Sequence, residues 1–121
     1  KYRGRVKSLY KSHFKEAADT KLSVDKMYSK LPKALKHKAD APFETVLKHI
    51  DYLVSKVGID HVAIGSDFDG ITSAPQQLED VSKFPVLTQA LLEKGYSQAD
   101  VAKIMGLNFL RILKENENNR K

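Results

Sequence analysis

The stretch His61-Val62-Ala63-Ile64-Gly65-Ser66-Asp67-Phe68-Asp69-Gly70 decides how this chain is read. Val62, Ala63 and Ile64 form a continuous apolar run, the pattern of a parallel strand covered on both faces. Gly65 and Ser66 are small enough for backbone or ligand to come close. The pattern predicts a buried strand over 61–66, with Asp67 where it stops. In α/β folds that edge carries the chemistry. An aspartate after a strand is equally an ordinary turn former, so on spacing alone a catalytic or ligating Asp67 and a structural one are both open.

Three familiar sources of D-x-D-G can be compared with these residues. An EF-hand loop has glycine sixth and glutamate twelfth. Setting Gly70 sixth puts Gly65 first and Gln76 twelfth, which removes two ligands and with them that calcium site. A haloacid-dehalogenase-type phosphotransferase continues with Thr or Val, but Ile71 stands there and Thr72 falls one residue late. A kinase D-F-G is absent, because Phe68 is followed by Asp69.

The longer string closely resembles the last barrel strand of the renal (membrane) dipeptidase family, zinc-dependent enzymes that cleave dipeptides. Upstream, His49-Ile50-Asp51-Tyr52-Leu53 and Val57-Gly58-Ile59-Asp60 resemble that family's helix before the strand. Downstream, Leu78 to Pro85, Leu87-Thr88, Leu91-Leu92, Gly95-Tyr96-Ser97 and Gly106 to Arg111 follow its C-terminal pattern in order. The resemblance covers about Ala41 to Leu113; residues 1–40 match only vaguely. It implies an α/β fold, the C-terminal portion of a TIM-like (β/α)8 barrel, mostly helical with one buried strand at 61–66. Such barrels take about 250 residues, and this chain has 121. The expectation is therefore one piece of a larger dipeptidase, completed by the remainder of the barrel. Three parts are expected: a basic helical insertion or connecting segment (1–40), the last helix–strand unit with the C-terminal helices (41–115), and a polar tail (116–121).

What the resemblance implies for chemistry can be carried over residue by residue. Two zinc ions are held in that family by His, Asp and Glu ligands on earlier strands, all upstream of this sequence, so no metal ligand is expected here and the chain alone should be inactive. The metal pair polarises the peptide carbonyl and generates a hydroxide nucleophile. The family's final-strand aspartate aligns with Asp67 and is the catalytic acid/base, because departure of an amine requires its protonation. Gly70 aligns with a substrate-binding glycine whose backbone lies beside the dipeptide. Asp69 is expected to fix the loop. Two readings from other classes stand beside this one: a phosphotransferase using Asp67 as nucleophile and Asp69 as acid/base with magnesium, and a non-catalytic helical interaction module.

Composition narrows the remaining partners. Hydrophobic residues make up 41% of the chain and no apolar run approaches the ~20 residues of a membrane span. Cysteine is absent, which removes disulfides and thiolate-bound zinc and leaves the compartment unknown. The net charge of +6 is uneven: residues 1–38 carry twelve Lys/Arg against three Asp/Glu. Those cations are scattered as on a solvated helical face, without a zinc finger, RNA-binding aromatics or a phosphate loop, so nucleic acid is not the expected partner. Oligomeric state is open, a homo-oligomer included.

The rest of the chain reads as helix. Residues 7–18 are one candidate; Ser23 caps a second, which Pro32 breaks. Asp40 is the expected N-cap of a third, where Phe43, Val46, Leu47, Ile50, Val54 and Val57 recur at helical spacing before Gly58. The stretch from Asp67 to about Phe84 reads as a long functional loop. Pro85 opens a helix to Lys94, Ser97 caps the next, and Leu107 to Glu115 forms the last. His13 and His37 read as surface residues, and neither His49 nor His61 is placed to ligate. Asn108 and Arg111 are expected to cap and pair at a helix junction.

Overall fold

The computed structural model describes residues 2–120, and helices dominate them. α1 (Tyr2–Phe14), α2 (Val24–Lys30) and α3 (Lys33–Ala39) make the N-terminal part. Ser23 starts α2 by accepting the Lys26 N–H at 3.3 Å, and the fixed φ of Pro32 separates α2 from α3. Most basic side chains of these helices are exposed, while Arg5 and Lys36 are half-buried, Lys36 Nζ lying 5.5 Å from the centre of the Tyr28 ring. Their opposite faces bury Val6, Tyr10, Met27, Tyr28, Leu31 and Ala39 in one cluster.

A second cluster organises the remainder. α4 (Phe43–Val57) buries Phe43, Leu47 and Ile50 against Leu87 and Leu91 of α5 (Phe84–Glu93), Val101 of α6 (Gln98–Ala102), and Ile104 in the wide turn that follows. Each such side chain contributes about 1.5–3 kcal/mol when fully removed from water. The apolar spacing of α4 therefore lies where its periodicity predicts, except that Val57 at its end is exposed. Gly58 (φ 84°) closes α4 in a left-handed conformation that a side chain resists. Ser97 caps α6 through the Asp100 N–H, and Gly106 interrupts the helical dihedrals before α7 (Asn108–Asn118). Across the core, Asp51 of α4 takes a hydrogen bond from the Tyr96 hydroxyl at 3.0 Å and an ion pair from Lys94 at 2.9 Å.

Three expectations need correction. No strand forms among the described residues: His61 closes a short 3-10 turn (Ile59–His61), and 62–66 is extended but unpaired. Val62 is buried and Ile64 half-buried while Ala63, Gly65 and Ser66 are exposed. The segment thus keeps a strand's alternation with one face covered rather than two. A strand needs a neighbouring ladder, and the neighbours here are helices; one backbone bond, Ile64 N–H to the Ile104 carbonyl at 2.9 Å, replaces it. Secondly, Asp40 does not cap α4. Pro42 occupies that position without a side-chain cap, and Asp40 faces elsewhere. Thirdly, the polar stretch from Asn116 continues α7 to Asn118, with the Asn116 amide bonded to the Ile112 carbonyl.

Asn108 supplies what the missing ladder does not. It is 4% exposed, and its Nδ2 donates to the carbonyls of Ile59 (2.7 Å) and Val62 (2.9 Å). Arg111, one turn on, donates to the Asp60 carbonyl at 2.9 Å. α7 thereby clamps 59–62 onto the core. The remaining apolar side chains of α7, among them Phe109, Leu110, Ile112 and Leu113, are exposed, as are Tyr52 and Leu53 of α4. No helix among the described residues is long and apolar enough to cross a membrane.

Two outcomes follow from this packing. Asn108→Leu strands two carbonyls and should lower stability by about 2–4 kcal/mol, read from the urea midpoint; an unchanged midpoint would show that the clamp carries no stability. Residues 1–121 expressed by themselves should self-associate through the exposed apolar face, and sedimentation of a monodisperse monomer would contradict this.

Candidate active site

Asp67 stands at the end of the extended segment, exposed, on the rim of a crevice of about 210 Å3. Ile64, Phe68, Ile71, Leu78 and Phe84 are among its walls, and the Phe68 and Phe84 rings lie 6.0 Å apart. The Asp67 carbonyl accepts the N–H groups of Gly70 (2.9 Å) and Ile71 (3.0 Å), closing a tight turn that contains Phe68 and Asp69. Asp69 is exposed. Gly70 borders a second, larger cavity of about 430 Å3 between α1 and residues 71–75. One carboxylate therefore stands beside an apolar recess, an arrangement able to hold or deliver a proton at a bound ligand.

The segment after this turn is fixed rather than free. Thr72 donates to Asp25 (3.1 Å), Ser73 to Asp40 (2.7 Å), and the Gln76 side chain to the His37 carbonyl (2.8 Å). The Gln76 backbone N–H adds a bond to the Ala41 carbonyl at 2.9 Å, and Leu78 is buried. Asp40 is the hub, since the Tyr28 hydroxyl donates to the same oxygen at 2.8 Å. Burial first, and then this hydrogen bond, push the Tyr28 phenol above its ordinary pKa. The stretch read as a long loop is thus a wall anchored to the basic N-terminal helices.

Neither Tyr2 nor Arg5 stands out in the sequence, yet both residues border the larger cavity, and each has a polar atom of note, the Tyr2 hydroxyl and Arg5 Nε. Both atoms are buried and lack a hydrogen-bond partner among the described residues. No local motif marks them, because α1 meets residues 70–75 only in the folded chain. The four histidines are exposed and separate. No group of three His, Cys, Asp or Glu side chains comes together to hold a metal ion among the described residues.

Comparison with known proteins decides the lineage. The sequence profile described as membrane dipeptidase (peptidase family M19) matches residues 26–121. The chain belongs to this family. It is 47% identical over 77 residues to dipeptidase tcpJ of Claviceps purpurea, covering 64% of this chain and 18% of that protein. Dipeptidase ataJ of Aspergillus terreus is 49% identical over 72 residues, 60% of this chain and 18% of the relative. An uncharacterized protein in the pqqA 5' region of Klebsiella pneumoniae is 49% identical over 76 residues, 63% of this chain and 28% of its own length. The chain therefore spans less than a third of the length of these curated relatives. Membership in a dipeptidase family leaves the phosphotransferase reading of Asp67 and Asp69 without support.

The anchoring of this family member's wall can be tested at its hub. Asp40→Ala leaves the buried Tyr28 hydroxyl without an acceptor, a cost of about 1–3 kcal/mol. Amide hydrogen exchange over residues 72–77 should accelerate. Unchanged exchange would mean that the Asp25 and His37 contacts suffice.

Proposed function

We propose that this chain forms one wall of a dipeptidase active site and that Asp67 is its proton-transferring group. Two observations support the reading together: membership in the membrane dipeptidase family, and an exposed Asp67 carboxylate beside an apolar crevice at the end of an extended segment. Hydrolysis of a dipeptide releases an amine, which leaves readily only when it is protonated. A carboxyl group can take a proton from the attacking water and return it to the departing nitrogen. The half-buried Phe68 and Phe84 rings would keep bulk water from that exchange.

The family resemblance implies two zinc ions, and the described residues do not by themselves make a site for them. On this reading the ligands lie upstream in the family's sequence, within a TIM-like barrel that this chain helps to close, and these 121 residues are inactive alone. Gly70, on the border of the adjoining larger cavity, would bring its backbone against the dipeptide. The basic segment 1–40 acts as a connecting or inserted element that braces residues 72–76. Asp69, exposed and inside the turn, has a structural part.

Asp67→Asn keeps shape and removes the ionisable group. In an enzyme of this family carrying this segment, kcat for dipeptide hydrolysis should fall ~10²–10⁴-fold, with bound zinc retained and Asp69→Asn far milder. Near-normal turnover by Asp67→Asn removes Asp67 from the mechanism; loss of zinc in step with activity makes it a ligand instead.

A further inference from the structure

Gly70 differs from the other five glycines of the chain in one respect. A Cβ built on any of the others meets no atom within 4 Å. On Gly70 it falls onto the Asp67 side chain, 2.5 Å from Oδ2, 2.7 Å from Cγ and nearer still to Oδ1. The glycines that occupy left-handed backbone are Gly58 and Gly95. Gly70 is not among them, so its backbone conformation does not require glycine. What its missing side chain provides is space, and the Asp67 carboxylate fills that space.

We propose that Gly70 is a positioning residue for Asp67: the bare Cα is the seat that sets the direction of the carboxylate. The inference rests on the reading of Asp67 as the proton-transferring group and adds how that group is aimed. The turn makes the seat, because the Asp67 carbonyl accepts from both Gly70 and Ile71 and so brings the Gly70 Cα beneath the Asp67 side chain. Among the described residues no hydrogen bond or ion pair holds the Asp67 carboxylate, which leaves steric room as its constraint. A methyl group at position 70 would displace the far end of a flexible side chain rather than any backbone, so the turn tolerates it while the carboxylate swings away. Proton transfer needs heavy atoms within about 2.6–3.2 Å, and a displacement of about 1 Å can cost 100-fold in rate. A glycine that merely makes room for substrate would behave differently, since filling it would weaken binding whether or not Asp67 is present.

The test is a cycle of four enzymes carrying this segment with their metal bound: wild type, Gly70→Ala, Asp67→Ala and the double variant. Dipeptide kinetics, metal content, thermal midpoint and crystal structures are read for each. Gly70→Ala should lower kcat ~10–100-fold with metal and midpoint preserved, and its crystal structure should show the Asp67 carboxylate rotated off the seat. In the Asp67→Ala background the same change should alter kcat by less than about twofold, because the two substitutions act on one group. Equal losses in both backgrounds, a rise in KM alone, unaltered kcat with Asp67 active, or an unmoved carboxylate in the Gly70→Ala crystal overturns it. Full activity of Asp67→Ala would defeat the reading of Asp67 itself, and the crystal structure of Gly70→Ala would still decide whether residue 70 sets its direction.

Discussion

The side-chain amide of Asn108 holds the place that a neighbouring strand holds in a sheet. Backbone at residues 59–64 leaves the α4 terminus with no ladder to satisfy it, and buried carbonyls without donors cost about 1–3 kcal/mol each. Asn108 gives one hydrogen to Ile59 and one to Val62, and the Ile104 carbonyl takes the Ile64 N–H. These bonds tie the extended segment to the start of α7 and to the turn before it. Asp67 lies three residues beyond the last of them, so its location follows from this clamp.

The second constraint comes from the other side of the turn. Residues 1–38 carry most of the chain's cations, yet the contacts of this part to residues 72–76 use Asp25, Asp40 and the His37 carbonyl. Apart from Lys36, which lies over the Tyr28 ring, the lysines of α1–α3 are exposed, and none lines the crevice. What shapes it is an acceptor, Asp40, that satisfies Tyr28 and Ser73 with one oxygen. Residues 67–71 run between the segment that Asn108 holds and the one that Asp40 holds, and within them the Asp67 carboxylate lies against the Gly70 Cα.

α4 was legible because its determinants are local. Apolar residues at three- and four-residue spacing bury one face, and Gly58 ends the helix through its own φ; Ser23 and Ser97 cap for the same reason, with partners three residues away. The strand expected at 61–66 does not form, because an apolar run reports a preference for extended backbone and says nothing about a partner. Asp40 looked like a cap since its sequence neighbours fit one, while its actual partner Ser73 lies 33 residues on. The roles of Asn108 and Arg111 at a helix junction were readable in kind, though not their targets, 49 and 51 residues away.

By itself the sequence determined the lineage, through an ordered series of short motifs around Asp67, and it determined the helices whose periodicity and caps are written within a few residues. The tertiary structure alone decided that 62–66 finds no strand partner among the described residues, that residues 71–77 form an anchored wall, and that Gly70 lies under the Asp67 carboxylate. Helical periodicity and capping depend on interactions within one or two turns of chain. Hydrogen-bond satisfaction of buried backbone and the space above one Cα depend on which distant segments meet, and no local pattern of residue types encodes that meeting.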